Sequence, residues 1–151
     1  MPSQIKVDEI KNVAGQYKIK TNVLEGQTTA GLITVQSEGT ATTNLQQGLI
    51  KAWCTVDENS TVTVRDGFNN SSVTDNSTGN TSFTMTNAFN NTDFSLMALA
   101  SQEGGATSYD FCYEVTLSRT SSVVRVESRN YGNGSVFDDE YKMIQICGDL
   151  A

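Results

Sequence analysis

Polar and apolar residues alternate along much of the chain after residue 54, and this period of two limits what the chain can fold into. The pattern is clearest in Thr61-Val62-Thr63-Val64-Arg65 and in residues 109–117. Successive side chains of a β-strand point to opposite faces, so each segment predicts a strand with one apolar face. Turn-forming residues separate these segments at intervals of about ten residues. The sequence therefore predicts an all-β fold, an antiparallel β-sandwich of jelly-roll-like type.

The connections between the predicted strands can also be assigned. Asp66-Gly67 predicts a turn after the Thr-Val strand, and residues 75–80 predict a six-residue hairpin loop. The nearly continuous apolar run at 94–99 predicts a buried strand. Further predicted strands cover residues 123–128 and 141–147.

One segment has a different period. Leu45, Leu49 and Trp53 recur every four residues within 40–53, which predicts one short helix whose apolar stripe places Trp53 in the core. Gly48 weakens that helix by about 1 kcal/mol relative to Ala. The alternative is that residues 49–54 already begin a strand.

The first part of the chain differs from the rest. Residues 1–39 contain short apolar stretches interrupted by glycines, with too little apolar content for a core of their own. We therefore expect an extended N-terminal segment that packs on something else, followed by a sandwich domain at 40–151.

The chain contains no histidine, which removes the commonest general base and most zinc and copper sites. Carboxylate chemistry needs only two acids, and the acidic clusters at 57–58 and 138–140 are candidates for it. Calcium could be bound by the cluster at 138–140, or by Asp75 and Asn76. Both clusters border turn residues, so the simpler interpretation is that they are solvated loop charges. We expect no enzymatic activity, no catalytic or metal-binding residue and no cofactor.

Charge and cysteine content restrict the partners. The net charge is −7 and the pI about 4.4, which disfavours nucleic acid and membrane insertion or binding. Cys54, Cys112 and Cys147 are odd in number and widely spaced, so we expect buried free thiols, with one disulfide as the alternative. The N-terminus has no apolar secretion signal, and we expect synthesis in a cytoplasm.

Three segments resemble tail-fibre-like virion proteins of marine cyanophages and pelagic bacteriophages. They are IKVDEIKN at 5–12, ITVQSEGTATTNLQQGLIKAW at 33–53, and VTVRDGFNNSSVTDNSTGNTSFTMTNAFNNTDFSL at 62–96. The segments occur in the order expected for that family and cover about two thirds of the chain. Beyond about residue 97 the chain has loops of its own. The resemblance implies a virion structural protein that forms a homotrimer.

In such a trimer, Ile5, Val7 and Ile10 would pack against their symmetry mates or against other virion proteins. Loops 66–80, 101–108 and 130–139 would form the exposed end or flank. The candidate contacts to a host-surface glycan or protein are Asn76, Ser77, Tyr109 and Tyr131.

The predicted function is therefore a tail fibre or fibre tip that mediates host attachment. The alternative is a head fibre, capsid decoration or tail accessory protein without receptor binding. A third hypothesis, a glycan-cleaving enzyme, would depend on Asp138 or Asp139.

Overall fold

A computed structural model describes residues 23, 33–36, 40–45, 48–101 and 110–151. The chain divides into two units, Met1–Ile33 and Thr34–Ala151. Of the first unit only Val23 and Ile33 are described, so the architecture below is that of the second unit. The predicted domain boundary after residue 39 stays a prediction.

The described part of the chain contains ten β-strands and one 3-10 turn, Thr116–Ser118. The strands are β1 Thr34–Gln36, β2 Thr42–Asn44, β3 Ala52–Asp57, β4 Thr63–Phe68, β5 Asn70–Ser77, β6 Asn80–Met85, β7 Ser95–Ser101, β8 Asp110–Glu114, β9 Val123–Asn130 and β10 Tyr141–Cys147.

Eight of these strands form two four-stranded sheets that pack as a sandwich. The first sheet has the order β4-β3-β10-β7 and the second β5-β6-β9-β8, and β1 and β2 form a separate two-stranded hairpin. Every strand pair is antiparallel. The predicted all-β antiparallel sandwich is therefore confirmed.

The core forms where the inward faces of the two sheets meet. In β3 every second residue is completely buried, as the alternation of a half-buried strand requires. Phe83 of β6 is the largest fully buried side chain, and burying a side chain of this kind contributes roughly 1.5–3 kcal/mol. The buried apolar set is Ala52, Cys54, Val56, Phe83, Met85, Phe89, Phe94, Val124, Val126, Ile144 and Ile146.

The chain crosses from the first sheet to the second at Asn69, which has a left-handed φ of 55°. Its side-chain amide donates to the Lys51 carbonyl at 3.0 Å, and its Oδ1 accepts from the Asn87 amide at 2.7 Å. The turn predicted at Asp66-Gly67 is wrong, because both residues lie inside β4. Gly67 instead allows close packing, since a Cβ there would lie 3.1 Å from the Trp53 carbonyl oxygen.

The hairpin between β5 and β6 is confirmed, but its connection is shorter than the predicted loop at 75–80. Ser77 pairs with Asn80, so only Thr78 and Gly79 connect the two strands. Gly79 supplies the φ of 67° that the tight turn needs. The predicted loop 66–80 is therefore mostly strand.

Two other predictions need correction. The short helix at 40–53 is wrong, because Thr42–Asn44 and Ala52–Asp57 are strands. The alternative interpretation, a strand that begins within 49–54, is correct except that the strand begins at Ala52. The run at 94–99 does form a strand, β7, but one of its faces is only half-buried and the other is exposed. Its Met97 and Leu99 are 58% and 56% exposed.

Candidate functional site

Several connections meet at one end of the sandwich, which we call the hairpin end. It contains the turn at Thr78 and Gly79, the start of β8 and the end of β9, because Asp110 pairs with Asn130. The residues that lead from β9 into β10 belong to the same end. Several candidate host contacts that are distant in the sequence therefore lie at the hairpin end.

Tyr131 directly follows β9 at the hairpin end and is 78% exposed. Its turn is held by the Asn130 side chain, whose Oδ1 accepts a 2.8 Å hydrogen bond from the Gly132 amide. Ser77 is also exposed at this end. Both remain candidate receptor contacts.

Of the other predicted site residues, the structure describes only Asn76. Asn76 is exposed, and its side-chain amide donates to Ser82 Oγ at 2.9 Å and to Asn80 Oδ1 at 3.3 Å. Its amide hydrogens therefore already have partners on the sheet surface, and its role as a contact stays a prediction. The remaining candidates lie outside the described residues: Tyr109, Ile5, Val7 and Ile10.

The outer surface of β8 and β9 contains a group that the sequence analysis missed, which we call the β8–β9 face. It consists of Phe111, Tyr113, Glu127 and Arg129. The Phe111 and Tyr113 rings are both exposed, with centroids 6.2 Å apart. The Arg129 guanidinium lies 5.6 Å from the Tyr113 ring centroid. The Phe-Cys-Tyr alternation at 111–113 could have revealed that both rings share one face.

Hydrogen bonds fix the polar groups of the β8–β9 face. Glu127 accepts from Arg129 Nε at 2.7 Å, from Asn80 Nδ2 at 2.9 Å and from the Tyr113 hydroxyl. Burial opposes ionisation of Glu127, but these hydrogen bonds outweigh it and lower the pKa of the carboxyl group. The hydrogen bond to Glu127 raises the pKa of Tyr113. The face therefore combines aromatic rings with oriented charges, the groups that stack on sugar rings and bind their hydroxyls.

The outer surface of the first sheet has an exposed apolar area along β7 and β10, which we call the β7–β10 face. Leu99 pairs with Met143 across the strands, and Met97 pairs with Gln145. Gln145 also pairs with the half-buried Trp53, which faces outward rather than into the core as the helix interpretation required. Exposed apolar areas on a sheet commonly mark interaction sites.

Charged groups lie beside the β7–β10 face. Arg65 forms ion pairs with Asp57 at 2.6 Å and Glu140 at 3.1 Å, and its guanidinium stacks 4.3 Å from the Tyr141 ring centroid. Partly exposed ion pairs of this kind contribute roughly 0–1 kcal/mol each to stability. These charged groups therefore border the β7–β10 face and add little to stability.

A buried polar cluster lies between the two sheets near the hairpin end. Lys142 is fully buried, and its Nζ donates to Glu58 Oε1 at 2.7 Å and to the Gly79 carbonyl at 2.8 Å. Glu58 is 2% exposed and also accepts from the Thr81 hydroxyl and from the Asp139 amide. Asp139 is fully buried.

The simpler interpretation of the two acidic clusters, as solvated loop charges, is therefore wrong for Glu58 and Asp139. Both are removed from solvent, which sequence reasoning could not detect because their cationic neighbour Lys142 is distant in the chain. Asp138, at the surface, accepts a 2.6 Å hydrogen bond from the Gly79 amide. In the part of the chain that the structure describes, no three acidic or thiol groups gather as metal ligands would.

All three cysteines are free thiols. Burial, followed by the charge of Asp66, raises the pKa of Cys54 to about 11. Burial likewise raises the pKa of Cys112 to about 11 against the opposing hydrogen bond with Ser128. Cys54 packs in the core, whereas Cys112 and Cys147 are half-buried.

No protein-family profile, curated protein or solved structure matches the chain. Within the described residues there is also no helix with the length and apolar character that crossing a membrane requires.

Proposed function

We propose that the chain is a phage virion structural protein, a tail fibre or fibre-tip component that mediates attachment to the host surface without enzymatic activity. One observation carries this proposal, namely that the two outer faces of the sandwich have different chemistry. The β7–β10 face exposes Met97 and Leu99, whereas the β8–β9 face exposes aromatic rings among charged groups. The first suits contact with other copies, and the second suits contact with a glycan.

Association uses the β7–β10 face in this proposal. Packing Met97, Leu99 and their neighbours against a symmetry mate removes apolar surface from water at roughly 25 cal/mol per Å². The homotrimer implied by the family resemblance supplies such a mate. The N-terminal segment, with Ile5, Val7 and Ile10, attaches the trimer to other virion proteins.

Host contact uses the β8–β9 face together with Tyr131. Sugar rings present apolar C–H faces that stack on exposed aromatic rings, and their hydroxyls pair with carboxylate and guanidinium groups. Phe111, Tyr113 and Arg129 offer these groups on a sheet, where their positions are fixed before binding. A site that is already ordered loses less entropy when the glycan binds.

Binding of the full-length protein to susceptible host cells tests this function. We expect the protein to bind cells and to compete with phage adsorption, and Phe111→Ala combined with Tyr113→Ala to reduce both at least tenfold. Leu117→Ala is the control, because Leu117 is exposed but lies beyond β8 in the 3-10 turn. Wild-type binding by the double variant would refute the assignment of the β8–β9 face.

Sedimentation tests the association part. Met97→Lys combined with Leu99→Lys places two charges on the β7–β10 face and should convert the trimer into a monomer, whereas Leu117→Lys should leave it trimeric. A wild-type protein that is monomeric at micromolar concentration would contradict the homotrimer.

Labelling intact particles with a gold-conjugated antibody against the protein distinguishes the tail-fibre role from the alternative role on the head. Label on the tail supports the fibre assignment. Label on the head, with no binding of the isolated protein to host cells, supports a head fibre or capsid decoration instead.

A further inference from the structure

We infer that Lys142 and Glu58 form an intramolecular amide bond, a covalent cross-link between the end of β3 and the last strand. Their reacting groups already touch, since Lys142 Nζ lies 2.7 Å from Glu58 Oε1. Neither side chain reaches solvent, with exposed fractions of 0% and 1%. This inference is independent of the proposed function.

The surroundings favour condensation rather than a permanent ion pair. Keeping two full charges out of water is costly, and the pair can remove both by proton transfer from the ammonium to the carboxylate. The neutral amine is then a nucleophile, as desolvated lysines are in covalent catalysis. The fold holds the amine and the carboxyl group next to each other, so their reaction needs no bimolecular encounter. Such positioning can provide an effective concentration of one group at the other on the order of 10⁵ M or higher.

The bond changes balance without any further reactant. The Nζ lone pair attacks the Glu58 carboxyl carbon Cδ to form a C–N bond. One C–O bond of that carboxyl group breaks, and its oxygen leaves as water with a proton from the carboxylic acid and a proton from Nζ. The products are one amide and one water molecule.

Hydrogen bonds hold the two reacting groups in place. The Gly79 carbonyl accepts from Lys142 Nζ at 2.8 Å and so orients the amine. The Thr81 hydroxyl and the Asp139 amide both donate to Glu58, and donors of this kind stabilise the oxyanion that forms when Cδ is attacked. Thr81 lies in the second sheet and Lys142 in the first, so folding must precede the reaction.

A second buried acid completes the group. The Asp139 side chain is fully buried, and its backbone amide donates to Glu58 Oε2 at 3.2 Å. Asp139 therefore belongs to the same buried cluster, and its backbone helps to hold the carboxyl group that is attacked.

The intact mass of the purified full-length protein tests the inference directly. After allowance for the initiator methionine, we expect a mass one water molecule below that of the sequence. A mass equal to that of the sequence would refute the cross-link and leave a buried ion pair. Because this measurement uses the natural protein, it does not depend on whether any variant folds.

Tryptic mapping locates the lost water. The cross-link predicts one branched peptide made of residues 52–65 and 130–151, with no cleavage after residue 142. Cleavage at that position, which releases peptide 143–151, would refute it. The Asp66-Gly67 pair can also lose water by cyclising, so a deficit located in the peptide that begins at residue 66 would refute the inference as well.

Matched lysine variants provide the control. Lys142→Met should have the full mass of its own sequence and should migrate more slowly in a denaturing gel than the cross-linked protein. Lys51→Met should still lack one water, because Lys51 is also buried but is not the partner of Glu58.

Discussion

Gly79 and Gly134 form a matched pair for testing how tightly the hairpin end is packed. Both have left-handed backbones, with φ of 67° and 70°. An alanine at either position should therefore cost about 1–2 kcal/mol from backbone conformation alone. The two differ in their surroundings. A Cβ at Gly79 would lie 2.7 Å from the Phe137 carbonyl oxygen, whereas a Cβ at Gly134 would meet nothing within 4 Å.

The magnitude for Gly79→Ala follows from what must move. The obstructing atoms are backbone atoms of Phe137 and Ser128, which cannot rotate away as a side chain could. Such overpacking adds roughly 1–3 kcal/mol. Movement of the turn would also weaken the hydrogen bonds that the Gly79 carbonyl accepts from Lys142 and Ser128. We expect a total of about 2–5 kcal/mol for Gly79→Ala and about 1–2 kcal/mol for Gly134→Ala.

Urea unfolding followed by the fluorescence of the single tryptophan, Trp53, measures both values. The dependence on urea should have the same slope for both variants, so that the midpoints report stability. The measurement should be made on protein of known cross-link content, because a covalent bond shifts the midpoint. Equal losses for the two variants would show that the Gly79 turn is not packed tightly against Phe137.

The remaining predictions concern the core, the thiols and the sheet crossing. Phe83→Ala should lower the free energy of unfolding by about 3–5 kcal/mol in the same assay, because it empties the largest buried position, while Leu117→Ala should stay within about 0.5 kcal/mol. The folded pKa of Cys54 is raised above its ordinary 9.0 to about 11, so its thiol binds a proton more tightly in the folded state. Stability should therefore fall as the pH rises from about 9 to about 11, with a smaller fall for Cys54→Ala, and an identical pH profile would contradict this. Native Cys54 and Cys112 should resist alkylation at pH 8 in a mass-spectrometric time course, because their pKa values of about 11 leave few thiolates. Asn69→Ala should cost about 1–3 kcal/mol in the urea assay through the lost side-chain hydrogen bonds and the left-handed backbone, and Asn69→Gly should cost less.

The alternation of side chains made the fold class predictable, but not the exact places where the chain turns. Asp66-Gly67 has strong turn propensity, and yet both residues pair with β3 because tertiary contacts outweigh the local preference. The crossing lies at Asn69, where one side chain donates two hydrogen bonds and accepts a third, and these hold the left-handed backbone. Local sequence alone does not contain those partners.

The candidate sites were less predictable than the fold because they depend on contacts between distant residues. Glu58 and Lys142 lie 84 positions apart, and only the pairing of β3 with β10 brings them together. For the apolar run at 94–99 the error is the reverse, because burial was predicted for residues that are partly exposed. Composition indicates an apolar strand but not which of its faces is covered. That depends on whether another chain packs on Met97 and Leu99.

The buried cluster has a consequence for the surface above it. The Gly79 carbonyl accepts hydrogen bonds from Lys142 and from the Ser128 amide, and the Gly79 amide donates to Asp138, so one turn residue ties β6, β9 and β10 together. The residues that present Tyr131 begin only two positions after Ser128. These hydrogen bonds hold the start of that segment from inside the sandwich. Because the segment is already ordered, the proposed contact with a host would cost less entropy. A covalent bond between Lys142 and Glu58 would strengthen this effect, because it would prevent β10 from separating from β3. The buried polar groups and the exposed Tyr131 ring are therefore best understood as one mechanical unit, in which the interior fixes the shape of the hairpin end.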